Sequence, residues 1–388
     1  MKLLIVGAGI VGLSLARRLD ELCIDYVMIE KSTGWSSDGA GICLPANAVA
    51  GLERLGLKDQ VVAQSHQVKQ VSYVKPNGKV LSSASLLDEP LSKQPFLALP
   101  RFKLLEILRQ GMDEKVRFNT QVANIEQIEQ GCLVTFDNEL TAHFDLVVAA
   151  DGINSDIRNE LFSSPELDDM GVTNWRFLID QDDSDLEPTY YLGSDNFFMR
   201  YPMPNNQVYC YAHILDDIKG KSLTDNSFGN TLANTQSGKK ALLASRFSSF
   251  DEKVQQAISS IDCDTALIQG RLKSVTSREV YIGNVVLIGD ALHGCPPSLQ
   301  QGVGMGLEDV HCLADLLEKE TNVASILHSF KAKRLKQVSW VVDESTRVIR
   351  LASKGRFWLG RVIRNIIVRV TGPANVNGWR KLLLWDKN

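Results

Sequence analysis

The stretch from Leu3 to Glu30 restricts the folds open to this chain more than any other. An apolar run, Leu3 to Val6, leads into three glycines spaced G-x-G-x-x-G: Gly7, Gly9 and Gly12. An amphipathic stretch, Leu13 to Glu21, follows, then a second apolar run that ends in Glu30. The order reads strand, tight turn, helix, strand. Each glycine has a task in a dinucleotide site: Gly7 permits the turn, Gly9 lets backbone approach a pyrophosphate, and Gly12 lets helix and strand pack closely. The helix N-terminus offers free N–H groups to phosphate. Glu30 stands about 20 residues on, where an acid accepts hydrogen bonds from ribose hydroxyls.

A secretory leader does not fit this stretch. Glycines interrupt it, and Arg17-Arg18 stands where small residues should mark a cleavage site. No apolar run reaches the roughly 18 residues that span a bilayer. The 388 residues suffice for two domains, or one large domain with an insert. A net charge of -4 argues against a nucleic-acid partner. The seven cysteines are odd in number, widely spaced and without a C-x-x-C pair. They predict free thiols in a reducing cytoplasm, with neither disulfides nor a metal site.

Farther along, Lys31 to Gly41 reads as a loop. Small residues from Gly39 to Asn47 lead into a helix over Ala48 to Leu55; they suit either a surface against a flat ligand or a plain connection. Val68 to Val74 and Val80 to Ser83 alternate around Pro76-Asn77-Gly78, a hairpin signal. Arg101 opens a periodic helix to Arg109 with Leu104, Leu105 and Leu108 on one face. A cation there opposes the helix dipole, so Arg101 either faces an anion or is a solvated surface arginine. Phe144 to Ala150 is the near-continuous apolar type buried on both faces of a sheet. It ends at Asp151-Gly152, which puts a carboxylate where open α/β sheets bind ligands.

Between Ser163 and Gln269 short alternating segments dominate: Trp175 to Ile179, Asn196 to Pro202 and Gln207 to Leu215. Tyr209, Tyr211 and His213 share one face of the last. Arg200 suits an exposed surface better than contact with an acidic substrate. Asp216 to Lys239 reads as polar loop, and two helices are predicted over Lys240 to Phe250 and Glu252 to Ile261. A second buried strand type, Val285 to Ile288, ends at Gly289-Asp290. A glycine-rich turn through Gly302, Gly304 and Gly306 then leads to a helix predicted at Leu307 to Leu317.

Three segments in register resemble the flavin monooxygenases of the p-hydroxybenzoate hydroxylase type. They are the N-terminal glycine motif, Asp151-Gly152 with Arg158 downstream, and Gly289-Asp290-Ala-Leu-His293 followed by Pro297, Gln301-Gly302 and Glu308-Asp309. The resemblance covers nearly the whole chain. It implies an α/β fold: a discontinuous Rossmann-like FAD-binding domain (1–67, 97–162 and 278–330), an inserted mostly β substrate domain (68–96 and 163–277) and C-terminal helices (331–388). Gly7, Gly9, Gly12 and Glu30 would hold the ADP half of FAD, with Lys31 and Val122 beside them. Arg101 would lie near the phosphates, Asp151 near FAD and NAD(P)H, and Asp290 near the ribityl chain. Gly302, Val303 and Gly304 would offer N–H groups to the flavin pyrimidine edge, and Gly41 and Ile42 would lie along the isoalloxazine. Where the family commonly has Gly-Gln-Gly, this chain has Gln300-Gln301-Gly302. A positive φ at Gln300 would carry strain.

The implied activity is oxygen insertion into an aromatic or polycyclic small molecule through a flavin C4a-hydroperoxide, with NAD(P)H as transient co-substrate and O2 as oxidant. Absence of a second nucleotide motif agrees with transient NAD(P)H. Pro297 would line the reaction space, and His213 and His293 are the candidate proton handlers. The competing readings are a flavin oxidase or dehydrogenase without oxygen insertion, and a FAD-binding protein without catalysis. Val341 to Leu384 is basic, with Arg361, Arg364 and Arg369 among apolar residues. A helical subdomain packed on the FAD domain is the preferred reading there, and membrane contact the second. The chain is expected to act as a monomer or homodimer.

Overall fold

In this computed structural model, which describes residues 1–35, 39–162, 167–183, 186–216, 235–275 and 278–385, the opening pattern folds as it reads. β1 (Leu3–Val6), α1 (Ile10–Glu21) and β2 (Tyr26–Ile29) are followed by β3 (Gly41–Leu44), α2 (Ala46–Arg54), α3 (Lys58–Ala63) and β4 (His66–Val68). Next come β5 (Gln70–Val74), β6 (Val80–Ser85), β7 (Phe96–Pro100), α4 (Arg101–Arg109), β8 (Val116–Arg117), β9 (Val122–Ile128) and β10 (Gly131–Phe136). The middle of the chain holds β11 (Thr141–Phe144), β12 (Leu146–Ala149), α5 (Asp156–Leu161), β13 (Leu167–Asp180), β14 (Thr189–Leu192), β15 (Asn196–Met203) and β16 (Gln207–Leu215). Then follow α6 (Gln236–Arg246), α7 (Glu252–Ser259), β17 (Ile268–Val275), β18 (Tyr281–Ile282), β19 (Val285–Leu287) and α8 (Asp290–His293). Four helices close the chain: α9 (Gly302–Lys319), α10 (Val323–Ser353), α11 (Trp358–Thr371) and α12 (Ala374–Leu383).

The apolar runs pair into a six-stranded sheet, ordered β18-β19-β12-β1-β2-β8. All its pairs but β18–β19 are parallel. Its central strands are buried on both faces, as continuous apolar runs require. Val6 stands opposite Ala149, and Ala149 opposite Leu287. The carboxyl ends of β1, β12 and β19 therefore lie side by side, and all three motifs meet at one sheet edge.

A seven-stranded sheet, β17-β13-β16-β15-β14-β5-β6, takes the hairpin of β5 and β6 as one edge. Alternation sorts its residues. Phe198, Cys210 and Ala212 pack with Leu243, Phe247 and Val254 from α6 and α7. Met199, Tyr201, Tyr209 and Tyr211 point the other way, onto Ala40, Cys43 and Ala98 of the segment around β3 and β7.

Two expectations need correction, and one stretch left open takes definite form. Gly39 to Asn47 is no mere connection: Gly41 to Leu44 pairs with β7 as a strand. α9 begins at Gly302, five residues before the predicted start, with its glycines inside the helix. Glycine costs a helix about 1 kcal/mol relative to alanine. Close packing offsets that cost, since a Cβ on Gly304 would stand 2.6 Å from Asn47 Nδ2 and one on Gly306 would strike Val11. Arg200 is fully buried on the face toward α6 and α7, bonded to Gln181 and Asp183. Most of the polar loop expected over Asp216 to Lys239, residues 217–234, lies outside the described residues. No described helix is long and apolar enough to cross a membrane.

Candidate active site

At the shared sheet edge a cavity of about 180 Å³ is lined by Gly7, Gly9, Glu30, Lys31, Val122 and Asp151, among others. The glycines make it. Gly7 has φ +103°, a region that favours glycine, and a Cβ on Gly12 would strike the Gly7 carbonyl. Gly9 is extended, and a Cβ there would meet nothing within 4 Å, so the space above it is open. α1 has no side-chain cap and no acid in its first turn. Its first intrahelical bond, Leu13 N–H to the Gly9 carbonyl, leaves the N–H groups of Ile10, Val11 and Gly12 aimed outward. Glu30 accepts from the Ala8 and Ser32 N–H groups, one on each oxygen, and each oxygen keeps a lone pair. Asp151 Oδ1 is buried without a partner among the described residues, and burial pushes this carboxyl up from its ordinary pKa. Lys31 closes the rim through an ion pair with Asp156 at 3.2 Å.

The third motif sits close to the first. Gly289 has φ +60°, and a Cβ there would stand 2.9 Å from Val11 of α1. Asp290 is exposed at the start of α8, and a Cβ on Gly302 would stand 3.7 Å from its Oδ1. The first bond of α9, Met305 N–H to the Gln301 carbonyl, frees the N–H groups of Gly302, Val303 and Gly304. Asn47 braces this helix start: its Nδ2 donates to Gln301 Oε1 at 2.8 Å and Glu308 Oε1 at 2.9 Å. Arg101 heads α4, with its N–H on the Ala40 carbonyl and its methylenes against Gly39. Ile42 is half-buried beside it on β3. Arg158, which the resemblance placed with Asp151, is buried and donates to the Ala291 and Ile153 carbonyls at 2.8 and 2.6 Å. It therefore ties the second motif to the third.

Beyond α9 the site becomes aromatic. Tyr209 and Met203 close on Gly41 so tightly that a Cβ there would strike both. Gln300 adopts the left-handed conformation, φ 53° and ψ 34°. That costs a non-glycine residue about 1–2 kcal/mol. Its Nε2 donates to the Tyr190 and Tyr201 hydroxyls, each at 2.9 Å. Two such bonds at about 1 kcal/mol each offset the strain. The two tyrosines bond each other, Asn375 Nδ2 donates to Tyr190 at 3.0 Å, and Tyr73 donates to Asn375 Oδ1 at 3.2 Å. Tyr190 thus accepts two bonds and gives its proton to Tyr201, whose own proton goes to Gln300 Oε1 across a long 3.4 Å.

The three residues expected to act in catalysis lie in different surroundings. Pro297 opens a short 3-10 turn and is exposed. His213 is buried on the aromatic face, stacked on Phe197 at 4.9 Å with Nδ1 3.3 Å from the Tyr211 hydroxyl. Burial drops its pKa to about 3, so its imidazole is neutral at neutral pH. His293 is also buried, but its Nε2 lies 2.8 Å from Asp309 Oδ2. Asp309 also accepts from Gly289 N–H at 3.0 Å and Arg334 Nε at 2.7 Å. Burial alone would push the Asp309 carboxyl up; Arg334, His293 and the Gly289 N–H together hold it below its ordinary range. His293 thus belongs to an ionic knot behind the helix start. Sequence reasoning missed Asn47, Tyr190, Tyr201, Asn375 and Arg334. Only the departure at Gln300 hinted at the tyrosine cluster.

Comparison with known proteins bears on this geometry. A family model described as FAD binding domain matches residues 1–237 and 248–345. The chain is 28% identical over 382 residues to 2-heptyl-3-hydroxy-4(1H)-quinolone synthase of Pseudomonas aeruginosa, covering 97% of this chain and 95% of that one. It is 26% identical over 358 residues to aurachin C monooxygenase/isomerase of Stigmatella aurantiaca, covering 90% and 88%. Among solved structures, Klebsiella pneumoniae HpxO complexed with FAD and uric acid is similar in fold, with TM-score 0.86, 23% identity, and 99% and 97% of the two chains covered. The residues present suit FAD. The open space over Gly9, the outward N–H groups of two helices and the unpartnered Asp151 oxygen are the donors, acceptor and room that its phosphates and hydroxyls need.

Proposed function

The chain belongs to the FAD-binding-domain family, and on that premise we propose that it is an NAD(P)H-dependent monooxygenase acting on an aromatic or polycyclic small molecule. The observation that carries the reading is the aromatic sheet face of Tyr190, Phe197, Tyr201, Tyr211 and His213, joined through Gln300 to the start of α9. FAD supplies the redox chemistry, taking two electrons from NAD(P)H and activating O2. The protein's share is binding, orientation and exclusion of water. The N–H groups of α1 receive the pyrophosphate, Glu30 and Asp151 receive sugar hydroxyls, and Lys31 and Val122 flank them. Arg101 adds a cation, and Asp290 with the N–H groups of Gly302, Val303 and Gly304 orients the far half, with Gly41 and Ile42 along it. Gly12 keeps helix and strand close.

The aromatic face suits a flat substrate, and a carbonyl or phenolic oxygen on it would take the Tyr201 proton in place of the long bond to Gln300 Oε1. His213, neutral and beside Tyr211, serves as a hydrogen-bond acceptor for a substrate O–H or N–H and not as an acid. His293 acts as a positioning residue for α9 through Asp309, and Pro297 lines the entrance. We assign residues 1–67, 97–162 and 278–330 to the cofactor domain, 68–96 and 163–277 to the substrate domain, and the remainder to a helical cap. The seven free thiols support a cytoplasmic location. The test is substrate-stimulated NAD(P)H oxidation by the purified yellow protein, across phenols and hydroxyquinolines. Product heavier by one oxygen supports the reading. Turnover with dehydrogenated product replaces it with the oxidase reading, and absence of flavin rejects both.

A further inference from the structure

One helix near the C-terminus is built inside out. An amphipathic surface helix normally buries its apolar stripe. In α11 the inward side carries Arg364 and Val368, while Trp358 is 71% exposed, Ile363 50%, Ile366 52% and Val370 80%. Leu359 and Val362 lie on the same outward side and are also exposed. The orientation is fixed, because Arg364 donates to the Gly193 and Leu192 carbonyls at 2.8 and 3.3 Å. A contiguous apolar patch of this kind marks an interaction surface.

Charge says what covers it. From Ser345 to Trp385 the chain has nine Lys and Arg and no Asp or Glu, against a net charge of -4 for the whole. Two of the nine are paired, Arg347 with Glu344 and Arg350 with Asp168. Lys354, Arg361 and Arg369 have no carboxylate within ion-pair distance among the described residues. A second copy of this chain is a poor partner, since a two-fold contact would set these basic flanks against each other. An anionic lipid surface satisfies both features, taking apolar side chains into the headgroup boundary and setting Arg and Lys among phosphates.

We propose that α11 docks this protein peripherally on anionic phospholipid bilayers, with Trp358, Ile363, Ile366 and Val370 inserted and Arg361 and Arg369 on the lipid phosphates. The docked helix adjoins the substrate side of the molecule. Val368 belongs to the same packed cluster as Tyr190 and Tyr201, and Asn375 of α12 bonds Tyr190.

The experiment is co-sedimentation of the full-length FAD-loaded protein with phosphatidylcholine vesicles, with and without phosphatidylglycerol. Binding should be at least roughly tenfold stronger with phosphatidylglycerol and should fall with salt, since the screening length shrinks from about 10 Å at 0.1 M to about 3 Å at 1 M. Ile363→Asp with Ile366→Asp should reduce binding to background while flavin spectrum and turnover of a water-soluble substrate stay unchanged. Arg361→Gln and Arg369→Gln should each weaken binding on the order of fivefold. Equal binding to both vesicle types, no binding to either, or a dimer in solution that the aspartate pair dissolves would overturn the proposal.

Discussion

The two ends of the candidate site are built in opposite ways. At the sheet edge, Gly7, Gly9 and Gly12 remove side chains, so the site is an opening rimmed by backbone N–H groups and two carboxylates. At the far end, Tyr190, Tyr201, Tyr211 and His213 fill space, and their polar atoms satisfy one another in a buried network. The first suits a large charged cofactor that brings its own oxygens. The second suits a flat, mostly apolar molecule that needs a few fixed polar contacts. Substitutions at one end should therefore leave the other intact.

The sharpest break is Gly9→Val. Its backbone is extended and its Cβ position is empty, so the cofactor-free protein should melt at the unchanged temperature. FAD affinity should fall more than about a hundredfold, because close backbone approach to the pyrophosphate is lost. Gly12→Val is the control that damages the fold as well, through its clash with the Gly7 carbonyl. Next comes Glu30→Gln. Losing charge-assisted bonds worth about 1.5–3 kcal/mol should weaken FAD binding by tenfold or more, read by fluorescence titration.

Gln300 probes the opposite end. Gln300→Ala keeps the left-handed strain and loses both bonds to the tyrosines, so stability should drop by about 1–3 kcal/mol in urea unfolding. Gln300→Gly relieves the strain and should cost close to nothing. Both variants should retain full FAD while KM for the aromatic substrate rises; loss of FAD would break the separation of the two ends. At neutral pH the smallest effect belongs to His213, whose contribution is felt only in acid. The unfolded chain takes up its proton below about pH 6.5, while the folded imidazole resists until about 3. Stability is therefore complete above that upper value and declines as pH falls through the window. His213→Asn should flatten the decline, measured by urea unfolding at a series of pH values.

The same division governs what the sequence revealed. Gly7, Gly9, Gly12 and Glu30 fall within 24 residues, and strand, turn and helix periodicities announce them locally. Asp151 and Asp290 were visible as acids ending apolar runs. The tyrosine cluster was not, since Tyr190 and Gln300 are 110 positions apart and meet only because β14 pairs beside β15 under the turn before α9. Arg200 misled for a related reason. Its charge suggested solvent, but strand alternation sends it to the face covered by α6 and α7, where Asp183 compensates it. The glycines of α9 read as a turn because propensity is local, whereas the contacts of Gly304 and Gly306 that make them helical are tertiary.

In the proposed reaction a FAD site at the sheet edge serves oxygen insertion at the aromatic face. This is tested most directly by turnover of an accepted aromatic substrate under isotopically heavy O2 in ordinary water. One heavy oxygen atom is expected in each product molecule, with one NAD(P)H consumed. Product without the heavy atom, or with oxygen drawn from water, would contradict it.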